Sequence, residues 1–202
     1  MFDAKLRPFI DRGLDPIGQW LAAFGITANQ VTVIGAGFGL MAFIFIAAGL
    51  PYIGLWMIIL NRLADGLDGA VARACGRTDF GGYLDLVVDF IFYSAIPLAF
   101  AIANPNHALA ACFLCVSFMG TASSFLGVAI LAAKHNITTD ARGEKAFYYL
   151  GGLTEGSETI LLLCAMALMP NYFPYLAWGF GLLCWVTTGT RIYMAHSMFA
   201  AR

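Results

Sequence analysis

Apolar stretches about as long as a bilayer is thick divide most of this chain. A membrane-spanning helix needs about 20 mainly apolar residues. Hydrophobic residues make up 60% of the 202 residues and charged residues only 11%, whereas about 25% of residues are charged in typical soluble domains. The sequence predicts an all-α integral membrane protein with six transmembrane helices, at residues 29–49, 52–73, 82–104, 107–133, 147–169 and 174–198.

The residues before the first predicted span follow a different pattern. Apolar side chains recur at helical spacing from Phe2 to Leu21, and most charged residues lie outside that arc. This pattern is typical of an amphipathic helix lying in the membrane interface, predicted over residues 1–24. With the six-helix bundle at 29–198, it is expected to form a single domain over residues 1–202.

Lys and Arg residues concentrate in alternate connections between the predicted spans. They precede span one, follow span two and flank the loop between spans four and five, whereas residues 49–52, 104–107 and 170–174 contain none. Because cytoplasmic loops carry the excess of Lys and Arg, both termini are predicted to be cytoplasmic. The membrane itself is expected to be a bacterial inner (plasma) membrane. With 11 Lys and Arg against 12 Asp and Glu, no nucleic-acid partner is predicted.

Four aspartates interrupt the apolar pattern of spans two and three. Asp65 and Asp68 lie in the run DGLDGAVAR, and Asp85 and Asp89 lie in GGYLDLVVD. An ionised carboxylate at membrane depth costs about 3 kcal/mol unless it is compensated. At about 100° per residue, each pair shares one side of its helix. Two facing helices can therefore gather all four near the cytoplasmic membrane surface, as a predicted site for a pair of Mg²⁺ or Mn²⁺ ions.

A divalent-cation site beside Arg73 suits a diphosphate substrate. Cations neutralise and orient such a group, and a spare carboxylate can take a proton from an attacking hydroxyl. A purely structural set of ion pairs with Arg62 and Arg73 is disfavoured, because two cations cannot balance four carboxylates. The alternative function is a cation-coupled membrane transporter with an intramembrane carboxylate site, although the sequence contains no internal repeat typical of that class.

The aspartate runs together form a recognisable motif. DGLDGAVAR, followed after seven residues by Gly81, Asp85 and Asp89, resembles the signature DxxDGxxAR…GxxxDxxxD of the CDP-alcohol phosphotransferases. The connection is one residue shorter than in the family pattern, within a turn. The resemblance implies metal-dependent transfer of a phosphatidyl-type group from a CDP-alcohol, with CDP-diacylglycerol expected, to an acceptor alcohol. It also implies CMP release, phospholipid biosynthesis and a homodimer.

The resemblance also assigns roles by position. Asp65, Asp68 and Asp85 match metal ligands, and Asp89 matches a residue that is both metal neighbour and catalytic base. The segment from Thr27 to Thr32 is similar to the family's TPNxxT, although Thr27 could also serve simply as a helix cap. The residues implied to bind the nucleotide of the donor are Asn29, Thr32, Asp68, Gly69, Ala72 and Arg73.

The acceptor, a small or lipid alcohol, is not identified by the sequence. Glu155 and Glu158 lie one turn apart near the start of span five, where acids favour a neutral or cationic acceptor over a phosphorylated one. They could equally pair with lysines at the membrane edge. Arg62 is either a counter-ion of the acids or a head-group contact. The acceptor-site candidates are Arg62, Lys134, Lys145, Glu155 and Glu158.

Overall fold

The computed structural model describes residues 3–135 and 153–200, with side chains described from residue 11 onward. Two short 3₁₀ turns, Pro105–His107 and Pro170–Tyr172, break the run of α-helices. The α-helices within the described ranges are α1 (Asp3–Ala23), α2 (Ala28–Ala47), α3 (Pro51–Cys75), α4 (Asp79–Ala103), α5 (Ala108–Lys134), α6 (Gly156–Leu168) and α7 (Phe173–Phe199).

Three helical segments in the described ranges are long and apolar enough to cross a membrane. They are α2, α4 and the segment Pro105–Lys134 that contains α5. A fourth is counted if α6 and α7, which are bent by 115° at the break between them, form one broken span. The charged helix α3 is not among them, and residues 147–152 of the predicted fifth span lie outside the described ranges. The all-helical membrane class is confirmed, and the count of six spans stays a prediction.

Local capping explains where the helices around the acids begin. Thr27 is the N-cap of α2: its hydroxyl accepts from the Gln30 amide at 3.3 Å, and the Gln30 side chain accepts from the Thr27 amide at 2.9 Å. The prediction that Thr27 caps a helix is confirmed. Thr78 caps α4 by accepting from the Gly81 amide at 3.0 Å. Only residues 76–78 separate the two aspartate-bearing helices, and Gly76 supplies the positive φ of 97°.

A buried apolar core holds α2 to α7 together. The chain buries large side chains from all six helices, while many other large apolar side chains remain exposed on the outside. An exposed apolar surface of this extent is costly in water and normal against lipid. Core members with 1% exposure or less include Ile46, Ile58, Ile96, Leu114, Met166 and Phe173.

Helix α1 packs along α3 by a close backbone approach. Gly18 is buried, and a Cβ placed there would lie 2.6 Å from the Ala70 Cβ and 2.7 Å from the Ala70 carbonyl carbon. On other parts of its surface, α1 leaves Ile17 and Trp20 exposed, and Phe24, directly after the last residue of the helix, is exposed as well. One surface of α1 therefore packs on α3, and another exposes apolar side chains that could contact lipid, as expected of an interfacial helix. Its location in the membrane interface stays a prediction.

We predict that Gly18→Ala lowers the thermal stability of the purified protein by an amount equivalent to about 1–3 kcal/mol, because the added methyl has no space against Ala70. Gly13→Ala in the same helix is the matched control, since no atom that the structure describes lies within 4 Å of its added Cβ. That control should be neutral or slightly stabilising. Equal melting temperatures for the two variants in detergent would contradict the close packing of α1 on α3.

Candidate active site

Three of the four predicted acids converge. Asp65 on α3 and Asp85 and Asp89 on α4 each offer a carboxylate oxygen, and these oxygens lie within 4.8 Å of one another. All three are half-buried and line the same cleft between α2, α3 and α4. The shortened connection after Arg73 therefore preserves the helical register that brings the acids together.

Asp68 lines the same cleft and is directed toward α2. Its carboxylate accepts a hydrogen bond from the Thr32 hydroxyl at 2.6 Å, and the residue is only 6% exposed. The Thr32 Oγ1 also lies 3.0 Å from the Ala28 carbonyl oxygen, so its single proton lies between two acceptors at the start of α2. The structure thus brings Asp68 and Thr32 together, both of which the sequence analysis assigned to donor binding.

Arg62 is held tightly beside the acids. Its Nη2 donates to Asp89 Oδ1 at 2.8 Å, and its Nη1 lies 3.5 Å from Asp65 Oδ1. The guanidinium also stacks 4.7 Å from the centre of the Phe92 ring. This geometry supports the alternative in which Arg62 is a counter-ion of the acids.

Two residues that the sequence analysis did not single out complete this arrangement. The Asn61 Oδ1 accepts from Arg62 Nε at 2.7 Å, while its Nδ2 donates to the Gly35 carbonyl at 2.7 Å. The Tyr93 hydroxyl donates to Asp89 Oδ2 at 3.1 Å. Sequence signals existed for both, since Asn61 is an amide within an apolar span and Tyr93 lies one helical turn after Asp89.

Arg73 does not contact the four acids. It donates from Nε and Nη2 to Asp15 Oδ1, at 2.9 and 2.6 Å, and from Nη2 to Asp11 Oδ1 at 2.9 Å. The ion-pair explanation of the aspartate cluster needed Arg73 as a second cation. Because Arg73 is paired with α1 instead, the structure argues against that explanation. The i, i+4 spacing of Asp11 and Asp15 indicates that they share one side of α1, but it does not identify Arg73 as their partner.

The remaining donor-site candidates surround the same end of α3 and α4. Gly69 lies under the Arg73 side chain, where an added Cβ would be 3.5 Å from Nη1. Ala72 is partly exposed one turn after Asp68. Asn29 reaches the start of α4, since its Oδ1 would lie 3.0 Å from a Cβ added at Gly81. The small residues Gly69 and Ala72 leave room for a ligand beside the carboxylates.

The acceptor candidates are less closely grouped. Glu155 and Glu158 form a capping box at the start of α6, in which the Glu155 amide donates to Glu158 Oε2 at 3.2 Å. Lys134 is exposed in the last turn of α5, and Lys145 lies outside the described residues. Arg191 is buried on α7 and donates from Nη1 to the Thr121 carbonyl at 2.9 Å.

The chemistry of the cleft fits a hard divalent cation. Its ligand atoms are carboxylate oxygens, which Mg²⁺ and Mn²⁺ prefer, and the described residues place no thiol or imidazole in this group. The carboxylate oxygens of Asp65, Asp85 and Asp89 are close enough for all three residues to bind the same ion. Arg62 alone offsets only part of the negative charge, so a cation is favoured there.

Comparisons with known proteins give a consistent result. A family model described as CDP-alcohol phosphatidyltransferase matches residues 25–193. The inner membrane protein YnjF of Escherichia coli (strain K12) is 47% identical over 197 residues, which cover 97% of this chain and 96% of that protein. A phosphatidylinositol phosphate synthase of Streptomyces avermitilis is 29% identical over 170 residues, covering 80% of this chain and 64% of that protein.

A solved structure shares the fold. The crystal structure of Mycobacterium tuberculosis phosphatidylinositol phosphate synthase with CDP-DAG bound aligns with a TM-score of 0.73 at 21% identity, covering 92% of this chain and 94% of that one. The family match extends from the start of α2 into α7 and includes all four aspartates. This chain therefore belongs to the CDP-alcohol phosphatidyltransferase family, the membrane enzymes that transfer a substituted phosphate from a CDP-alcohol to a hydroxyl group in phospholipid synthesis.

Proposed function

We propose that this enzyme transfers a phosphatidyl group from CDP-diacylglycerol to an acceptor alcohol and releases CMP. The observation that carries the proposal is the convergence of Asp65, Asp85 and Asp89 in one cleft beside Asp68, in a chain of this family. The solved relative with CDP-DAG bound supports the choice of donor. The family match gives no support to the alternative of a cation-coupled transporter.

The donor would bind with its diphosphate at the carboxylate end of the cleft. Asp65, Asp68, Asp85 and Asp89 would hold Mg²⁺ or Mn²⁺, in our proposal two ions. Divalent ions, when bound there, would neutralise the diphosphate and stabilise the leaving phosphate. The cytidine side of the donor would lie near Asn29, Thr32 and the small residues Gly69 and Ala72, with Arg73 at the edge.

Asp89 is the proposed general base. Its two oxygens already accept from Arg62 and Tyr93, and a carboxylate oxygen has two acceptor sites, so each oxygen keeps one. Asp89 would take the proton of the acceptor hydroxyl as that oxygen attacks the phosphorus attached to diacylglycerol. The bond from this phosphorus to the bridging oxygen then breaks, and CMP leaves with that oxygen. Arg62, Asn61 and Tyr93 would keep the carboxylate oriented for this step.

The proposal also includes how the protein lies in the membrane. We expect six spans in a single domain, both termini and the cleft facing the cytoplasm, and α1 lying in the interface of the inner membrane. The identity to an E. coli inner membrane protein supports this location. A homodimer is also expected, because the resemblance to the family implies one.

The acceptor proposal rests on Glu155 and Glu158. They place two carboxylates at the start of α6, where a phosphorylated acceptor would meet like charge. We therefore propose a neutral or cationic hydroxyl compound as acceptor, even though the relative from Streptomyces avermitilis is a phosphatidylinositol phosphate synthase. That relative is 29% identical, which leaves room for a different acceptor site.

The central chemistry is tested by measuring CMP release from CDP-diacylglycerol with purified enzyme, Mg²⁺ and an acceptor mixture. Asp89→Asn should lower turnover by about 10²–10⁴-fold, because it removes the base, while CDP-diacylglycerol binding is largely retained. Asp79→Asn is the matched control. It makes the same chemical change at an exposed residue in the first turn of α4 and should leave turnover within about twofold of wild type. Normal turnover by Asp89→Asn would reject the base assignment.

The acceptor is tested with the same enzyme, labelled CDP-diacylglycerol and a panel of single acceptors. We expect a neutral polyol or an amino alcohol to compete successfully against glycerol 3-phosphate and inositol phosphate. Glu155→Gln, which keeps an oxygen for capping but removes the charge, should change the acceptor KM more than the donor KM. Preference for a phosphorylated acceptor would overturn this part of the proposal and leave the donor chemistry intact.

A further inference from the structure

The pairing of Arg73 with α1 has a specific orientation. Arg73 lies in the last turn of α3, and α1 crosses α3 beside it through Gly18. Asp15 and Asp11 together occupy Nε and Nη2 of the guanidinium, with contacts of 2.6–2.9 Å. One edge of the planar group is therefore directed at α1, and the direction of the remaining nitrogen is fixed.

That remaining nitrogen, Nη1, lies over α3. It would be 3.5 Å from a Cβ added at Gly69, the residue that follows Asp68 in the motif. Within the part of the chain that the structure describes, Nη1 makes no hydrogen bond to protein. Its two N–H donors are thus available beside the small residues at the edge of the donor site.

We propose that Asp15, assisted by Asp11, is a positioning residue that orients Arg73 so that Nη1 donates to the diphosphate of the CDP-linked donor. This inference rests on the proposed function. A free arginine at a membrane surface samples many rotamers, and ordering it on ligand binding weakens affinity. A guanidinium already fixed on one edge loses less freedom when its other edge binds phosphate.

Electrostatics alone predicts the opposite effect. Two carboxylates next to Arg73 reduce the positive potential that a diphosphate meets. Removing one carboxylate should strengthen anion binding if Asp15 acts only through its charge, and weaken it if Asp15 acts by orienting Arg73. The sign of the change in donor affinity therefore separates the two roles. A contact that only attaches α1 would change the melting temperature and leave the donor affinity of the folded protein unaltered.

The test compares wild type with Asp15→Asn, using CDP as a soluble probe in calorimetric titrations with Mg²⁺, and then CDP-diacylglycerol in turnover assays. We expect the Kd for CDP and the KM for the donor to rise roughly three- to tenfold, with kcat within about twofold of wild type. Asp15→Glu should recover part of the affinity. Asp79→Asn is the control for the loss of one exposed acid and should bind CDP like wild type.

A second variant, Asp11→Asn, tests the same inference if Asp15→Asn does not fold. Asp11→Asn removes the charge from one of the three hydrogen bonds and leaves both contacts from Asp15, so it should weaken CDP binding in the same direction and to a smaller extent. Unchanged or tighter CDP binding by folded Asp15→Asn, or by folded Asp11→Asn if the first variant does not fold, would overturn the inference while the proposed function stands. Failure of wild type to bind CDP or release CMP would reject the proposed function, and the inference with it.

Discussion

The cost of placing carboxylates between apolar helices governs the structure of this site. An uncompensated ionised acid at such a position is expensive, and here four acids share one cleft. Each nearby polar group reduces that cost: Thr32 donates to Asp68, Arg62 contacts Asp65 and Asp89, and Tyr93 donates to Asp89. These groups orient the carboxylates without balancing their charge. The site is therefore suited to bind cations that complete the neutralisation.

The contacts of Arg62 connect the oriented carboxylates to the neighbouring helices. Asn61 links the Arg62 guanidinium to the Gly35 carbonyl on α2, so a single, partly buried network connects α2, α3 and α4. Phe92 covers the guanidinium and shields it from competing water. The arginine of the motif itself, Arg73, is paired with Asp11 and Asp15 of α1 instead. The two arginines thus have different partners: Arg62 contacts the acid cluster, and Arg73 contacts α1.

The sequence predicted the parts of this protein that follow from local spacing. Within each pair, the aspartates are spaced so that they share one side of a helix, and they interrupt apolar stretches where an isolated acid would be costly. Their grouping on two facing helices was therefore predictable. The pairing of Arg73 with Asp11 and Asp15 was not, because it spans about sixty residues and depends on how α1 crosses α3. Glu155 and Glu158 show a different difficulty, since a capping box and an acceptor site use the same residues at the same spacing.

The central claim is that Asp65, Asp85 and Asp89 hold divalent cations against the diphosphate of the donor. The most direct test is anomalous diffraction from crystals of the wild-type enzyme grown with Mn²⁺ and CDP-diacylglycerol. Our account predicts manganese peaks among the oxygens of these aspartates and Asp68, next to the diphosphate. Bound donor with no manganese at these carboxylates, in crystals of enzyme that releases CMP, would contradict it.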